Sequence, residues 1–108
     1  MREASVSDRL ESDVQRAVIA FYRSFDIEIA RFSERRRSMI IRGWPDLGLF
    51  CLRKKAFWVH ETKRDHGGIQ SLEQRRLEEW FTACGIPYLL GGVQAAHDHL
   101  INLGILKP

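Results

Sequence analysis

The chain carries only two cysteines, and Cys51 and Cys84 stand far apart without the close spacing of a metal-ligand pair. That excludes a disulfide framework and a zinc centre, and both thiols are expected to be buried and reduced. No run of about 18 apolar residues occurs, which excludes a membrane-spanning helix. The opening Met1-Arg2-Glu3-Ala4-Ser5 lacks an apolar signal core, so a cytoplasmic rather than a secreted setting is expected. Repeats and low-complexity stretches are also missing, and the apolar share of 44% argues against disorder. What is left is a length of 108 residues, the size of one small domain spanning 1–108.

The net charge of +3 conceals an uneven distribution. Arg31 to Arg64 holds ten Lys/Arg and three acids, 10 − 3 = +7; the remainder holds seven and eleven, 7 − 11 = −4. A basic segment of this kind suits a polyanion. Arg35, Arg36, Arg37, Arg42, Arg53, Lys54, Lys55 and Arg64 are the candidate phosphate contacts, with Arg75 and Arg76 further along. Solvated turns are the competing account of such runs.

Periodicity predicts an α/β (α+β) fold, a sheet flanked by helices in the order roughly α-β-β-β-α-β-α, with one further short strand over 39–41. Leu10, Val14, Ala17, Val18, Phe21 and Phe25 recur at helical spacing and predict a first helix from about Ser7 to Ser24. Asp26 to Phe32 alternates as a strand, and Met39-Ile40-Ile41 reads as a short apolar one. Leu47 to Leu52 and Ala56 to Lys63 form a hairpin around Arg53-Lys54-Lys55. Both of its strands are apolar on both faces, which predicts helices covering each side. Ser71-x-x-Gln74 is a capping box opening the next helix, with Leu72, Leu77, Trp80, Phe81 and Cys84 as its apolar face and Gly85 as its stop. A strand over Ile86 to Leu90, a break at Gly91-Gly92 and a helix over Val93 to Leu103 complete the chain. His97 and His99 diverge on that helix, and His60 and His66 read as structural or exposed.

One stretch is poorly explained by packing. Gly43-Trp44-Pro45-Asp46 leads into the hairpin, and the hairpin's second strand ends Glu61-Thr62-Lys63. Side chains alternate along a strand, so Glu61 and Lys63 share a face, and Asp46 stands at the base of the neighbouring strand. Two adjacent carboxylates repel, and each has a raised pKa unless a cation lies between them. Hard oxygen ligands with little nitrogen or sulfur nearby suit Mg2+ or Mn2+. Asp followed across a hairpin by Glu-x-Lys is the arrangement of a metal-dependent phosphodiesterase. A Glu61–Lys63 salt bridge is the rival account, and it leaves Asp46 unexplained.

Gly43-x-Pro45-Asp46, Glu61-x-Lys63 and Gly67-x-x-x-Ser71-x-x-Gln74 resemble the virus-type replication-repair nuclease (VRR-NUC) domain, a branch of the PD-(D/E)XK superfamily. The resemblance takes in Glu11 and Gln15 upstream and the Gly85 region downstream. It implies a restriction-endonuclease-like core with a mixed central β-sheet. It also implies Asp46 and Glu61 as metal ligands, with the Thr62 backbone carbonyl and Glu11 completing the set, and Lys63 and Gln74 acting beside them. Asp8-x-x-Glu11 is a capping box as well, which offers Glu11 a second role. The activity implied is hydrolysis of DNA to a 5′-phosphate and a 3′-hydroxyl. Stand-alone domains of this family resemble viral or phage proteins acting on branched DNA, including four-way junctions, which suggests a homodimer. A flap nuclease or nickase module, a non-catalytic DNA-binding module and a small α/β interaction domain are the alternatives.

Overall fold

The computed structural model describes residues 6–32, 41–65 and 68–108. The elements are α1 (Val6–Arg23), β1 (Glu28–Arg31), β2 (Leu47–Cys51), β3 (Ala56–Thr62), α2 (Leu72–Ala83), β4 (Tyr88–Gly91) and α3 (Val93–Asn102). This is the expected order except for the short strand read over 39–41, of which only Ile41 is described, outside any strand. The four strands form one mixed sheet in the order β1-β2-β3-β4. The first three run antiparallel, and β4 returns parallel to β3 after crossing through α2. Parallel neighbours require such a crossover.

One face of the sheet carries Leu47, Leu49, Trp58 and His60, all fully buried, and packs against α1 and α3. On α1 the buried stripe is rotated from the expected one. Val18, Ile19 and Tyr22 are buried, Val14, Phe21 and Phe25 pack at the margin, and Ala17 is exposed. Tyr22 lies inside because its hydroxyl has partners there. Trp58 Nε1 donates to it at 3.2 Å, and it donates to His60 Nδ1 at 2.8 Å. His60 Nε2 in turn donates to the Gly91 carbonyl at 2.9 Å. A carbonyl only accepts, so Nε2 carries the proton and Nδ1 accepts. His60 is therefore a fully satisfied core residue, and burial lowers its pKa to about 4.

The opposite face is covered over only part of its area. A run of rings crosses it: Phe32 on Trp44, Trp44 on Phe81 of α2, and Phe81 on Tyr88, with centroids 5.2–6.1 Å apart. Toward the β2–β3 turn α2 no longer shields the sheet, and Phe50 is exposed against Phe57. The expectation of helices covering both sides holds only at the other end.

Other expectations shift for equally local reasons. On α2, Leu77 is buried and Phe81 half-buried, while Leu72, Trp80 and Cys84 face solvent. The inward line is Gln74, Leu77, Phe81, and its first position is polar because it serves what lies beneath. Cys51 is buried; Cys84 is not. Ile41 is exposed; Met39, Ile40, His66 and Gly67 lie outside the described residues, as do the side chains of Asp8 and Leu10. Gly91-Gly92 leaves room for Asp65, whose Oδ1 accepts the Gly92 N–H at 2.7 Å at the start of α3. A Cβ on Gly92 would stand 2.9 Å from Asp65 Oδ2. Among the described residues no helix is long and apolar enough to cross a membrane.

Candidate active site

The site lies at the end of β3 where the first turn of α2 and the middle of α1 converge. Register places its two acids. Leu47 pairs with His60 in antiparallel β2–β3, so the next position sets Asp46 directly across from Glu61. Residues opposed in this way have Cα atoms about 4.5–5.5 Å apart. The buried Pro45 and the bond from Phe32 N–H to the Asp46 carbonyl, 2.8 Å, hold the strand entry in place.

Asp46 is fixed by Thr62, whose backbone N–H and hydroxyl both donate to Asp46 Oδ2, at 3.0 and 2.5 Å. Thr62 Oγ1 in turn accepts from Gln15 Nε2 at 3.4 Å, which ties α1 to the site. Thr62 was expected to offer its carbonyl; its amide and hydroxyl do the visible holding. Glu61 is 4% exposed, and its Oε1 accepts from Gln74 Nε2 at 2.8 Å. Its Oε2 is buried with no hydrogen-bond partner. Burial first, and the Asp46 charge next, push the Glu61 pKa up to about 9, with Lys63 working in the opposite direction. An acid so placed keeps its proton at neutral pH unless a cation replaces it.

Gln74 has both of the uses open to it. The Ser71 hydroxyl accepts from Gln74 N–H at 3.1 Å, and Gln74 Oε1 accepts from Ser71 N–H at 2.8 Å. That leaves the amide nitrogen free for Glu61. Gly43 makes the approach possible: with φ +87°, it lies under this turn, and a Cβ there would sit 2.6–2.8 Å from Glu73 and Gln74.

Glu11 does not join the two acids. It is exposed, and its Oε1 lies 3.8 Å from Lys63 Nζ, whose own side chain is 15% exposed. Among the described residues no group of three or more His, Cys, Asp or Glu is arranged around a common ion position. The acidic donors are therefore Asp46 and Glu61. Two carboxylates with an unpartnered buried oxygen fit a magnesium-type ion, which binds through one or two carboxylates and keeps waters elsewhere.

The basic residues divide. Arg42 precedes Gly43, Arg64 follows Lys63, and Arg75 and Arg76 are exposed on the first turns of α2. These four gather at the site's end of the sheet. Arg53, Lys54 and Lys55 form the turn at the opposite end of β3, roughly 20 Å away at about 3.3 Å per residue. They do not surround the acids, contrary to what the linear charge count suggests. Arg35, Arg36 and Arg37 lie outside the described residues. Sequence reasoning missed the Thr62 hydroxyl as a partner of Asp46; it carries no signal in linear order.

A solved structure described as a VRR_NUC domain is similar to this chain with a TM-score of 0.62 and 24% sequence identity. The match covers 85% of this chain and 94% of that one. The likeness establishes a VRR-NUC-like fold: a mixed four-stranded sheet flanked by three helices. No protein-family model matches the sequence. No curated protein matches it either.

Proposed function

We propose that this fold carries a DNA phosphodiesterase, a metal-dependent endonuclease whose centre is Asp46, Glu61 and Lys63. One observation supports it above the rest: two carboxylates face each other across β2–β3, and the more buried one has an oxygen without a partner. Neutral packing offers no reason to hold such a pair, because a buried unsatisfied carboxylate oxygen is costly.

Asp46 and Glu61 would hold Mg2+ or Mn2+, and when bound the ion supplies Lewis-acid stabilisation of charge building on the phosphate. In the hydrolysis, a water oxygen bonds to phosphorus, the P–O3′ bond breaks, and the water's proton ends on the departing 3′ oxygen. Thr62 and Gln15 orient Asp46, and Gln74 orients Glu61. Lys63, largely enclosed and therefore weakly screened by salt, places a positive charge where the phosphate oxygens gain negative charge. Arg42, Arg64, Arg75 and Arg76 hold flanking phosphates.

The substrate we assign is branched DNA, such as a four-way junction, cut by a homodimer. A two-fold pair of sites suits two opposed strands. The test is cleavage of labelled junctions, flaps and linear duplexes in magnesium or manganese. Asp46→Ala, Glu61→Ala and Lys63→Ala are each expected to abolish cleavage and to leave DNA binding largely intact. Undiminished activity in Asp46→Ala, or in excess chelator, overturns the hydrolase. A monomer by light scattering at micromolar concentration, or equal cutting of linear duplex, overturns only the dimer or the junction preference.

A further inference from the structure

The outward side of α2 is divided between two kinds of surface. Leu72, Arg76 and Trp80 recur at four-residue spacing, so they run along one flank of the helix. All three are exposed, Leu72 by 75% and Trp80 by 50%. The acids Glu78 and Glu79 lie on the other flank, where they line an open groove with Gln70, Arg75 and Thr82. Gln70 Nε2 donates to Glu78 there at 3.1 Å. The Trp80 flank adjoins the active site. Glu73, the acid on that side, stands two turns before Trp80 and is half-buried. Gly43 lies so close to it that a Cβ would sit 2.7 Å from Glu73 Cβ. The loop that carries the exposed Arg42 therefore seats on this flank. Along the helix axis Trp80 is about 9 Å from Gln74, which holds Glu61.

An exposed indole with a guanidinium one turn away suits a nucleobase with its phosphate beside it. Every base has a π-face to stack, and arginine answers the phosphate charge. A second copy of the chain suits this flank less well. Over the 12 residues of α2 it measures about 18 Å by 10 Å, far short of the roughly 800 Å² per partner of a stable dimer. Bases inside a duplex hide their faces in the stack. The occupant is therefore a base left open at a branch.

We propose that this flank of α2 is a stacking surface for an unpaired nucleobase, with the Trp80 indole against the base and Arg76 on its phosphate. Trp80 then sets the preference for branched over linear DNA. Leu72 continues the apolar surface one turn beyond Arg76, toward the site. The assignment rests on the chain being a DNA phosphodiesterase.

Trp80→Ala and Trp80→Phe test it by fluorescence anisotropy in chelator, with a duplex bearing an unpaired flap and a linear duplex of equal length. Trp80→Ala is expected to raise the Kd for the flapped DNA roughly 5- to 150-fold and to leave that for linear duplex unchanged. Trp80→Phe keeps a stacking ring and is expected to recover most of the loss. Of the three tryptophans only Trp80 is exposed, so flapped DNA is also expected to quench wild-type emission more than linear DNA does. Equal losses on both DNAs, no loss on the flapped one, or equal quenching overturns the assignment. So does a melting temperature several degrees lower in Trp80→Ala, which would make the ring a packing group. A halved mass in light scattering of Trp80→Ala overturns it in favour of a second copy on this flank. A wild type that neither binds nor cuts any of these DNAs overturns the phosphodiesterase reading itself; one that does both leaves Trp80 tested on its own.

Discussion

At the scale of single residues, Glu61 is held away from its charged form by burial in the metal-free protein. In the unfolded chain it ionises above 4.5, whereas in the fold it keeps its proton to about 9. Between those values the folded state binds more protons, so stability falls as pH rises. His60 acts in the opposite sense. Unfolded, it takes a proton below 6.5, while the folded residue resists to about 4, so its contribution is lost as pH falls through that window. From pH 4.5 to 6.5 the two slopes oppose each other. Above 6.5 only the Glu61 slope remains, about 1.4 kcal/mol per pH unit. In chelator, Glu61→Gln is therefore expected to gain on wild type steadily from pH 6.5 to 9, measured by urea unfolding. A constant difference across that range would show that Glu61 is ionised in the metal-free fold.

At the scale of elements, the site depends on how closely the first turn of α2 seats on the loop before β2. Gly43 is the contact, and it combines a left-handed φ with backbone neighbours closer than any Cβ tolerates. Gly43→Ala carries the cost of positive φ, about 1–2 kcal/mol, and of overpacking, about 1–3 kcal/mol. We expect a loss of about 2–5 kcal/mol in denaturant unfolding, with activity falling further than stability because Gln74 is lifted off Glu61. A stability within 0.5 kcal/mol of wild type, the usual range for surface changes, would show that the turn has slack. The capping box was legible in Ser71-x-x-Gln74 because it is local; the link from Gln74 to Glu61 spans 13 positions and needs the packed helix.

At the scale of the whole molecule, net charge and its placement are separate facts. The basic segment reads as one block in the sequence, yet a seven-residue strand carries Arg53, Lys54 and Lys55 to the end away from Glu61. Arg75 and Arg76 lie outside that block and sit at the site. Replacing both by alanine is expected to weaken DNA binding and to lower the slope of log K against log salt by about one each. The triple replacement of Arg53, Lys54 and Lys55 is expected to leave the cleavage rate near wild type. The opposite pattern in salt titrations would move the DNA path to the hairpin turn.

The order of helices and strands, the hairpin, the capping box and the candidate trio Asp46, Glu61 and Lys63 were determined by the chain alone. Each rests on short-range periodicity or on polar groups that packing does not explain. Only the tertiary structure decided that Ile19 and Tyr22 turn inward while Trp80 and Cys84 turn out. It also set Glu11 against Lys63 rather than beside the two acids, and Thr62 as the group that grips Asp46. Such choices depend on which surfaces meet, and a helix of mixed residues offers several stripes until the sheet and its neighbours select one.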